Sequence, residues 1–171
     1  MPGRAGQLDL TFRDANEGDV GQLAELFAAD MADLGEDTPI GELRQVTRKM
    51  VDGSHPHHHV RVAEHDGELA GCVVANEFLS VKFPGRALWI EELYVAPAFR
   101  RRGIGRRLVE ELLAWAWEVG FQGIDLEAYR MNTAASILYR SLGFRRLARE
   151  RYSFDMLRFP EEFVLEGEDD E

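Results

Sequence analysis

The stretch from Leu88 to Leu108 constrains the fold of this chain more than any other part of its sequence. It reads LWIEELYVAPAFRRRGIGRRL, which is an apolar run with two adjacent glutamates, a turn rich in arginine and glycine, and the start of a helix. The segment predicts a strand, a tight turn and a helix in direct succession. A sheet with helices packed on it is the architecture that such a unit favours.

The turn has the features of an anion site. Gly103 and Gly105 lack Cβ atoms, so the backbone can bend sharply, and the helix that begins near Gly105 points unpaired N–H groups at whatever binds there. The formal net charge of the chain is -11, yet five arginines crowd into this turn: Arg100, Arg101, Arg102, Arg106 and Arg107. A multiply charged anion would account for that local positive charge.

Two of these arginines have an ordinary structural alternative. Arg106 lies four residues before Glu110 and can pair with it along one face of the helix, and Arg107 and Glu111 have the same spacing. The range 100–102 precedes the helix and lacks such partners, which favours anion binding. A Walker loop is excluded because no Lys-Ser/Thr pair follows the last glycine, and the three-glycine dinucleotide fingerprint is absent.

Two motifs together relate the chain to a known family. The turn RRRGIG matches the acetyl-CoA signature Arg/Gln-x-x-Gly-x-Gly/Ala, and MNTAASILYRSLGF matches Asn-x-x-Ala-x-x-x-Tyr-x-x-x-Gly-Phe at Asn132, Ala135, Tyr139, Gly143 and Phe144. Asn132 also suits a helix N-cap and Gly143 a C′ position. The chain therefore resembles the GNAT N-acetyltransferase superfamily. Its strand motif is most similar to the polyamine and diamine acetyltransferase branch.

The resemblance implies an α/β (α+β) fold with a central mixed, mostly antiparallel sheet of six to seven strands flanked by about four helices. At 171 residues, 45 % of them hydrophobic, the chain is long enough for one such domain. We expect the domain over residues 8–159, a flexible leader over 1–7 and an acidic tail over 160–171. The range 144–157 is expected to supply a closing pair of strands.

The resemblance also assigns the site. It implies acetyl-CoA as co-substrate, no metal, and cofactor contacts from Leu93, Tyr94, Val95, Arg100, Arg101, Arg102, Gly103, Ile104, Gly105, Arg106, Asn132, Ala135 and Tyr139. Glu91 and Tyr139 match the catalytic base and acid of the branch, and Glu91 and Glu92 are expected to bind the amine. Because side chains alternate along a strand, we expect Glu91 and Glu92 to point to opposite faces, Glu91 with Leu93 and Val95.

The expected reaction is direct transfer of an acetyl group to a primary amine. An amine with a pKa of about 10 has to lose a proton as it attacks, which a carboxylate such as Glu91 can take directly or through water. Tyr139 would protonate the departing thiolate, since the reference pKa values of phenol and thiol are roughly 10 and 8.5. Backbone amides of the strand would polarise the carbonyl.

The remaining sequence features concern possible partners, the location of the protein, its one cysteine and a histidine cluster. The net negative charge disfavours a nucleic-acid partner. No apolar run is long enough for a membrane span and no secretory signal is evident, so we expect a cytoplasmic protein without a membrane partner. The lone Cys72 is expected to be a buried thiol. His55, His57, His58 and His59 lie in a loop that is atypical of a metal site.

The acceptor is the open point. We expect a small cationic metabolite such as a polyamine, a diamine or an amino-acid analogue. An aminoglycoside or a protein N-terminus would present an amine to the same residues, and a non-catalytic acyl-CoA sensor would retain the arginine turn. A homodimer is a further option, because dimers are common in the family and the closing strands would offer an edge.

Overall fold

The computed structural model describes residues 8–129, 131–154 and 156. Its strands are β1 (Thr11–Asp14), β2 (His58–His65), β3 (Glu68–Ser80), β4 (Gly85–Val95) and β5 (Gly123–Leu126), and its α-helices are α1 (Val20–Asp33), α2 (Ile40–Val51), α3 (Ile104–Val119) and α4 (Thr133–Ser141). The strands follow one another across the sheet in chain order, antiparallel except for the parallel pair β4–β5. This mixed, mostly antiparallel sheet with four helices confirms the expected fold class.

The sheet buries an apolar layer on each face. One face packs against α3 and α4 through a core that includes Val73, Leu88, Ile90, Leu108 and Leu112. The other face packs against α1 and α2 through a core that includes Leu23, Phe27, Val62, Cys72 and Val74. Burial of Cys72 is confirmed, and burial raises the pKa of its thiol to about 12.

Local signals account for several connections. Asp66 and Gly67 take positive φ values of 49° and 82° in the turn between β2 and β3, as a tight hairpin requires. Asn132 caps α4 by accepting a hydrogen bond from the Ala135 backbone N–H at 3.0 Å, and Gly143 just beyond the helix has a φ of 93°. The hairpin and both ends of α4 are thus as predicted.

The expected closing pair of strands is not found over residues 144–154, so the described sheet has five strands; positions 155 and 157 lie outside the described residues. The apolar side chains of this segment do not alternate with polar ones, and four arginines interrupt it. Leu147, Tyr152 and Phe154 are exposed. The segment therefore lacks the period-two pattern that would hold one face of a strand against the core.

Among the described residues, the helices are all too short or too polar to cross a lipid bilayer.

Candidate active site

A bulge in β4 determines where the two adjacent glutamates lie. Val74 of β3 stands opposite Glu92, whereas the next residue, Ala75, stands opposite Ile90. Glu91 is therefore an extra residue on β4, and the alternation of side chains is interrupted there. Beyond the bulge, side chains occupy the face opposite to the one that strict alternation predicts.

The expectation that Glu91 and Glu92 point to opposite faces is therefore wrong. Leu93 and Val95 pack on the α3 side of the sheet, while Tyr94 lies in the core beneath α1 and α2, so Glu92 belongs to the α1 side. Glu91 accepts a hydrogen bond from the side-chain amide of Asn76. Asn76 is two residues beyond Val74 on a regular strand and shares its face, so both glutamates are directed to the same side.

Glu92 forms a carboxyl pair with Asp30 of α1. The side chain is half-buried, and burial raises its pKa to about 9, with further contributions from the hydrogen-bonded Asp30 and from the charge of Glu91. At neutral pH the Glu92–Asp30 pair therefore holds a proton. A cation placed between them would favour release of that proton.

Tyr139 of α4 lies near this pair. It is only 8 % exposed, and its ring packs edge-on against Phe144 at 5.7 Å between centroids. Burial raises the pKa of Tyr139 to about 12, and the nearby Glu92 and Asp30 contribute. Within the described part of the chain its hydroxyl has no hydrogen-bond partner. A phenol hydroxyl that makes no hydrogen bond within the described residues is available to a bound molecule.

Strand β4 presents a free backbone edge beside these groups. It pairs with β5 only from Ala87 to Ile90, while the range 91–95 pairs with β3 alone in the described structure. The amides and carbonyls on the β5 side of that range can therefore bind an extended ligand in the manner of an added strand. Leu93, Tyr94 and Val95, assigned to acetyl-CoA by resemblance, all lie on this edge.

The arginine turn leads from β4 into α3. Gly103 is the N-cap residue with a φ of 78°, and a Cβ built there would meet no atom within 4 Å. The space beside this N-cap residue is therefore open. A cavity of about 420 Å³ lies beside the turn, and its lining residues are Arg102, Gly103, Ile104, Arg107, Leu8, Asp9, Leu10 and Phe12.

The arginines of the turn have different partners. Arg100 donates to the Val95 carbonyl at 2.8 Å and to Asp33 of α1 at 3.1 Å, so it links the turn to α1. Arg106 pairs with Glu110 at 3.3 Å, as the helical spacing predicts. Arg107 likewise pairs with Glu111 at 3.2 Å.

Arg101 and Arg102 are exposed, and no partner is found for either in the described residues, so they are the arginines most available to an anion. Ile104 is buried in the α3 core, and Gly105 is close enough that an added Cβ would lie 3.6 Å from Val95. Asn132 uses its side-chain oxygen for the cap of α4, and Ala135 is half-buried there. The structure thus gathers most of the predicted cofactor residues around the end of β4.

Sequence reasoning missed three residues that contact the glutamates or extend their hydrogen bonds. Asp30 lies three residues after the buried Phe27 and seven after Leu23, and an acid on that inward stripe of α1 was a usable signal. Asn76 and His58 carried no such signal because their role depends on strand register. Among the described residues, no group of three or more His, Cys, Asp or Glu side chains is arranged to hold a metal ion.

Comparison with known proteins identifies the family. The family model described as acetyltransferase (GNAT) family matches residues 22–144. The chain belongs to this family. It is an acetyl-CoA-dependent N-acetyltransferase, and curated relatives agree: thialysine N-epsilon-acetyltransferase of Bos taurus is 31 % identical over 92 % of this chain and 96 % of that protein.

Two further matches are more distant or partial. This acetyltransferase is 38 % identical to N-alpha-acetyltransferase RimI of Mycobacterium tuberculosis over 57 % of the chain and 59 % of that protein. A solved aminoglycoside N-acetyltransferase in complex with CoA has a TM-score of 0.74 at 17 % identity, covering 90 % of this chain and 99 % of that one. That likeness concerns the fold.

Proposed function

We propose that this enzyme moves the acetyl group of acetyl-CoA directly to a primary amine of a small cationic metabolite, such as a polyamine, a diamine or an amino-acid analogue. One observation carries the proposal. Three carboxylates, Asp30, Glu91 and Glu92, gather on one side of β4, and the charges of two of them, Asp30 and Glu92, act on the Tyr139 hydroxyl, which has no partner in the described chain. The relative named for thialysine, a cationic amino acid, supports the same substrate class.

In this proposal acetyl-CoA binds along the free edge of β4. Arg101, Arg102 and the N–H groups from Gly103 onward would hold its pyrophosphate, which suits a positive turn at a helix N-terminus. The backbone of residues 93–95 would hold the pantetheine arm and polarise the thioester carbonyl. This arrangement brings the thioester to the bulge.

Glu91 is the proposed base, and the Asp30–Glu92 pair is the proposed anchor for a second positive charge. The amine nitrogen attacks the carbonyl carbon and its proton passes to Glu91, directly or through water. The C–S bond then breaks and the thiolate takes the phenolic proton of Tyr139, which bulk solvent later replaces.

The raised pKa of Tyr139 affects that last step. At about 12 it lies above the reference value of a thiol, roughly 8.5, so the phenol is protonated at neutral pH but gives its proton to the thiolate less readily than an ordinary phenol would. Part of the shift comes from Glu92 and Asp30, and a bound cation would offset their negative charge. The acceptor thus assists the acid that completes its own acetylation.

A comparison of matched amines tests the anchor. Putrescine and butylamine have the same carbon chain, and only putrescine carries a second ammonium group. We expect kcat/KM for putrescine to be higher by about tenfold in the wild type, which corresponds to about 1.4 kcal/mol from one ion pair in a partly buried site. Asp30→Asn should remove most of that preference. Equal use of both amines by the wild type would contradict the proposed anchor.

Cytoplasmic location, homodimer formation and the absence of nucleic-acid or membrane partners stay predictions. Exposed apolar side chains in the range 144–154, among them Leu147, Tyr152 and Phe154, support an assembly in which a second copy covers them. Light scattering at a series of concentrations measures the mass of the particle directly.

A further inference from the structure

A chain of hydrogen bonds runs from Glu91 across the sheet to His58, which was expected in a loop but is the first residue of β2. Asn76 of β3 donates its amide N–H to the carboxylate of Glu91, and its amide oxygen lies 2.5 Å from Nδ1 of His58 in β2. His58 and Asn76 are direct partners across the β2–β3 ladder. The chain thus joins three adjacent strands on the side of the sheet that α1 and α2 cover.

The direction of every bond in this chain follows from its chemistry. An ionised carboxylate only accepts hydrogen bonds, so the NH₂ group of Asn76 must face Glu91. The carbonyl oxygen of Asn76 then faces His58, and it too only accepts. Nδ1 of His58 therefore has to carry a proton, which selects one tautomer of the neutral ring.

The hydrogen-bond chain gives the side chain of Glu91, at the bulge, a fixed partner. Glu91 is exposed, and in the described residues the bond from Asn76 is the one hydrogen bond that its carboxylate makes. A long, solvated side chain without a fixed partner samples several rotamers, and holding it in one costs entropy. Asn76 is half-buried in β3 and can supply a fixed donor.

We propose that Asn76 and His58 are positioning residues that hold the carboxylate of Glu91 toward the acceptor amine. The inference rests on the proposed role of Glu91 as the base. His58 acts through Asn76: it fixes the orientation of the amide so that the NH₂ group is the end presented to Glu91. Neither residue contacts the reacting atoms.

Substitutions at His58 separate positioning from a general structural effect. In His58→Asn the amide nitrogen takes the place of Nδ1 and can still donate to Asn76, whereas the longer side chain of His58→Gln places its amide near the former Nε2. We expect His58→Gln and Asn76→Ala to lower kcat about tenfold with unchanged KM for acetyl-CoA, because a misplaced base slows transfer without affecting cofactor binding. His58→Asn should keep kcat within about twofold of the wild type.

His57→Asn is the matched control. The ring of His57 is exposed, and its Nδ1 lies 4.0 Å from Oε1 of Glu77. His57 is not part of the hydrogen-bond chain to Glu91, so kcat should not change in His57→Asn. Equal kcat values for the wild type and Asn76→Ala would overturn the proposal. So would equal losses in His58→Asn and His58→Gln, because these would indicate that the imidazole ring packs and does not donate.

The tautomer of His58 provides a readout that does not depend on activity. We expect ¹⁵N NMR at about pH 9, where ordinary imidazoles are neutral, to show the proton of His58 on Nδ1 in the wild type and on Nε2 in Asn76→Ala. The imidazole signals that are present in the wild type and absent in His58→Asn are those of His58. A proton on Nε2 in the wild type would contradict the hydrogen-bond chain itself. Failure to acetylate any amine would instead contradict the role of Glu91 as the base and would leave the tautomer result intact.

Discussion

Tyr139 is the residue whose chemistry is easiest to isolate. Tyr139→Phe removes the hydroxyl and leaves the ring packed against Phe144, so the fold and acetyl-CoA affinity should persist. We expect kcat to fall by about 10²-fold, the lower end of what a positioned proton donor contributes. Steady-state kinetics and calorimetry with acetyl-CoA measure the two effects, and Tyr152→Phe, an exposed tyrosine, is the control. Unchanged kcat in Tyr139→Phe would remove this residue from the mechanism.

The raised pKa of Glu92 predicts that the stability of the folded protein falls as the pH rises. The pKa of Glu92 is raised from 4.5 to about 9, so between these values the folded protein keeps a proton that the unfolded chain has released. Stability should therefore fall as pH rises through this window. Glu92→Gln cannot ionise and should be more stable than the wild type at pH 8 by on the order of 1 kcal/mol, after allowance for solvent that still reaches the side chain.

Denaturant unfolding of the wild type and of Glu92→Gln at about pH 5 and pH 8 measures this difference in stability. The advantage of Glu92→Gln should shrink at the lower pH, where the folded and unfolded states both approach the protonated form. Glu25→Gln, on the exposed side of α1, should show no comparable gain. A Glu92→Gln protein that is no more stable at pH 8 would indicate that Glu92 is ionised in the folded state.

Residue-level inference from sequence succeeded where the signal is local and failed where it depends on packing. Asn132 and Gly143 were assigned correctly because a cap is decided by a few neighbouring residues. The faces of Glu91 and Glu92 were assigned wrongly because the bulge is a property of the β3–β4 register. Asp30 entered the site only when α1 was placed on the sheet.

At the level of elements, the turn between β4 and α3 can be tested by a matched pair of substitutions. Gly103 and Gly53 both take a left-handed conformation, with φ values of 78° and 76°, and neither has an atom within 4 Å of an added Cβ. Gly103→Glu and Gly53→Glu should each cost about 1 kcal/mol of stability. Only Gly103→Glu places a negative charge at the expected pyrophosphate site, so only it should weaken acetyl-CoA binding, by at least about tenfold.

Isothermal titration calorimetry with acetyl-CoA distinguishes the two variants. Equal affinities would contradict the placement of the pyrophosphate at this turn. Equal losses of affinity would instead indicate that the strain itself disturbs binding.

The contact between β3 and β4 gives a second test at this level. A Cβ on Gly71 would lie 2.6 Å from the Tyr94 carbonyl oxygen and 3.2 Å from the Val95 Cα, so the end of β4 would have to shift. Gly71→Ala should cost about 1–3 kcal/mol and should also weaken acetyl-CoA binding, because the shifted segment is the proposed cofactor edge.

Gly21→Ala is the control for that change. Gly21 lies in α1 with no atom within 4 Å of an added Cβ, and alanine there should raise stability by about 0.5–1 kcal/mol. Thermal unfolding and acetyl-CoA titration measure both variants. A Gly71→Ala protein with normal affinity would show that the end of β4 is not part of the cofactor site.

Element-level prediction was best where periodicity and turn chemistry agree. The strand, turn and helix over 88–108 formed as expected because apolar pattern, glycines and helix spacing all point the same way. The range 144–154 did not form the expected strands, since its apolar residues do not alternate with polar ones. Arg100 was expected to be free for an anion, but its bond to Asp33 depends on the approach of α1.

At the scale of the whole molecule, charge is distributed for two different ligands. The formal net charge is -11, and against it the arginine turn offers a confined positive site while α1 and β4 bring carboxylates together. An anionic cofactor and a cationic acceptor would thus be attracted to neighbouring but distinct regions. The bulge in β4 is part of the acidic region, and the range 93–95 leads from it to the arginine turn.

The central claim is that acetyl-CoA and a cationic amine react at this bulge. The most direct measurement incubates the purified protein with acetyl-CoA and a panel of polyamines, diamines, lysine analogues, aminoglycosides and N-terminal peptides, and follows release of free CoA thiol. Mass spectrometry then identifies the acetylated product. We predict thiol release with small amines that carry a second positive charge. No release with any of these amines, despite acetyl-CoA binding shown by calorimetry, would contradict the account.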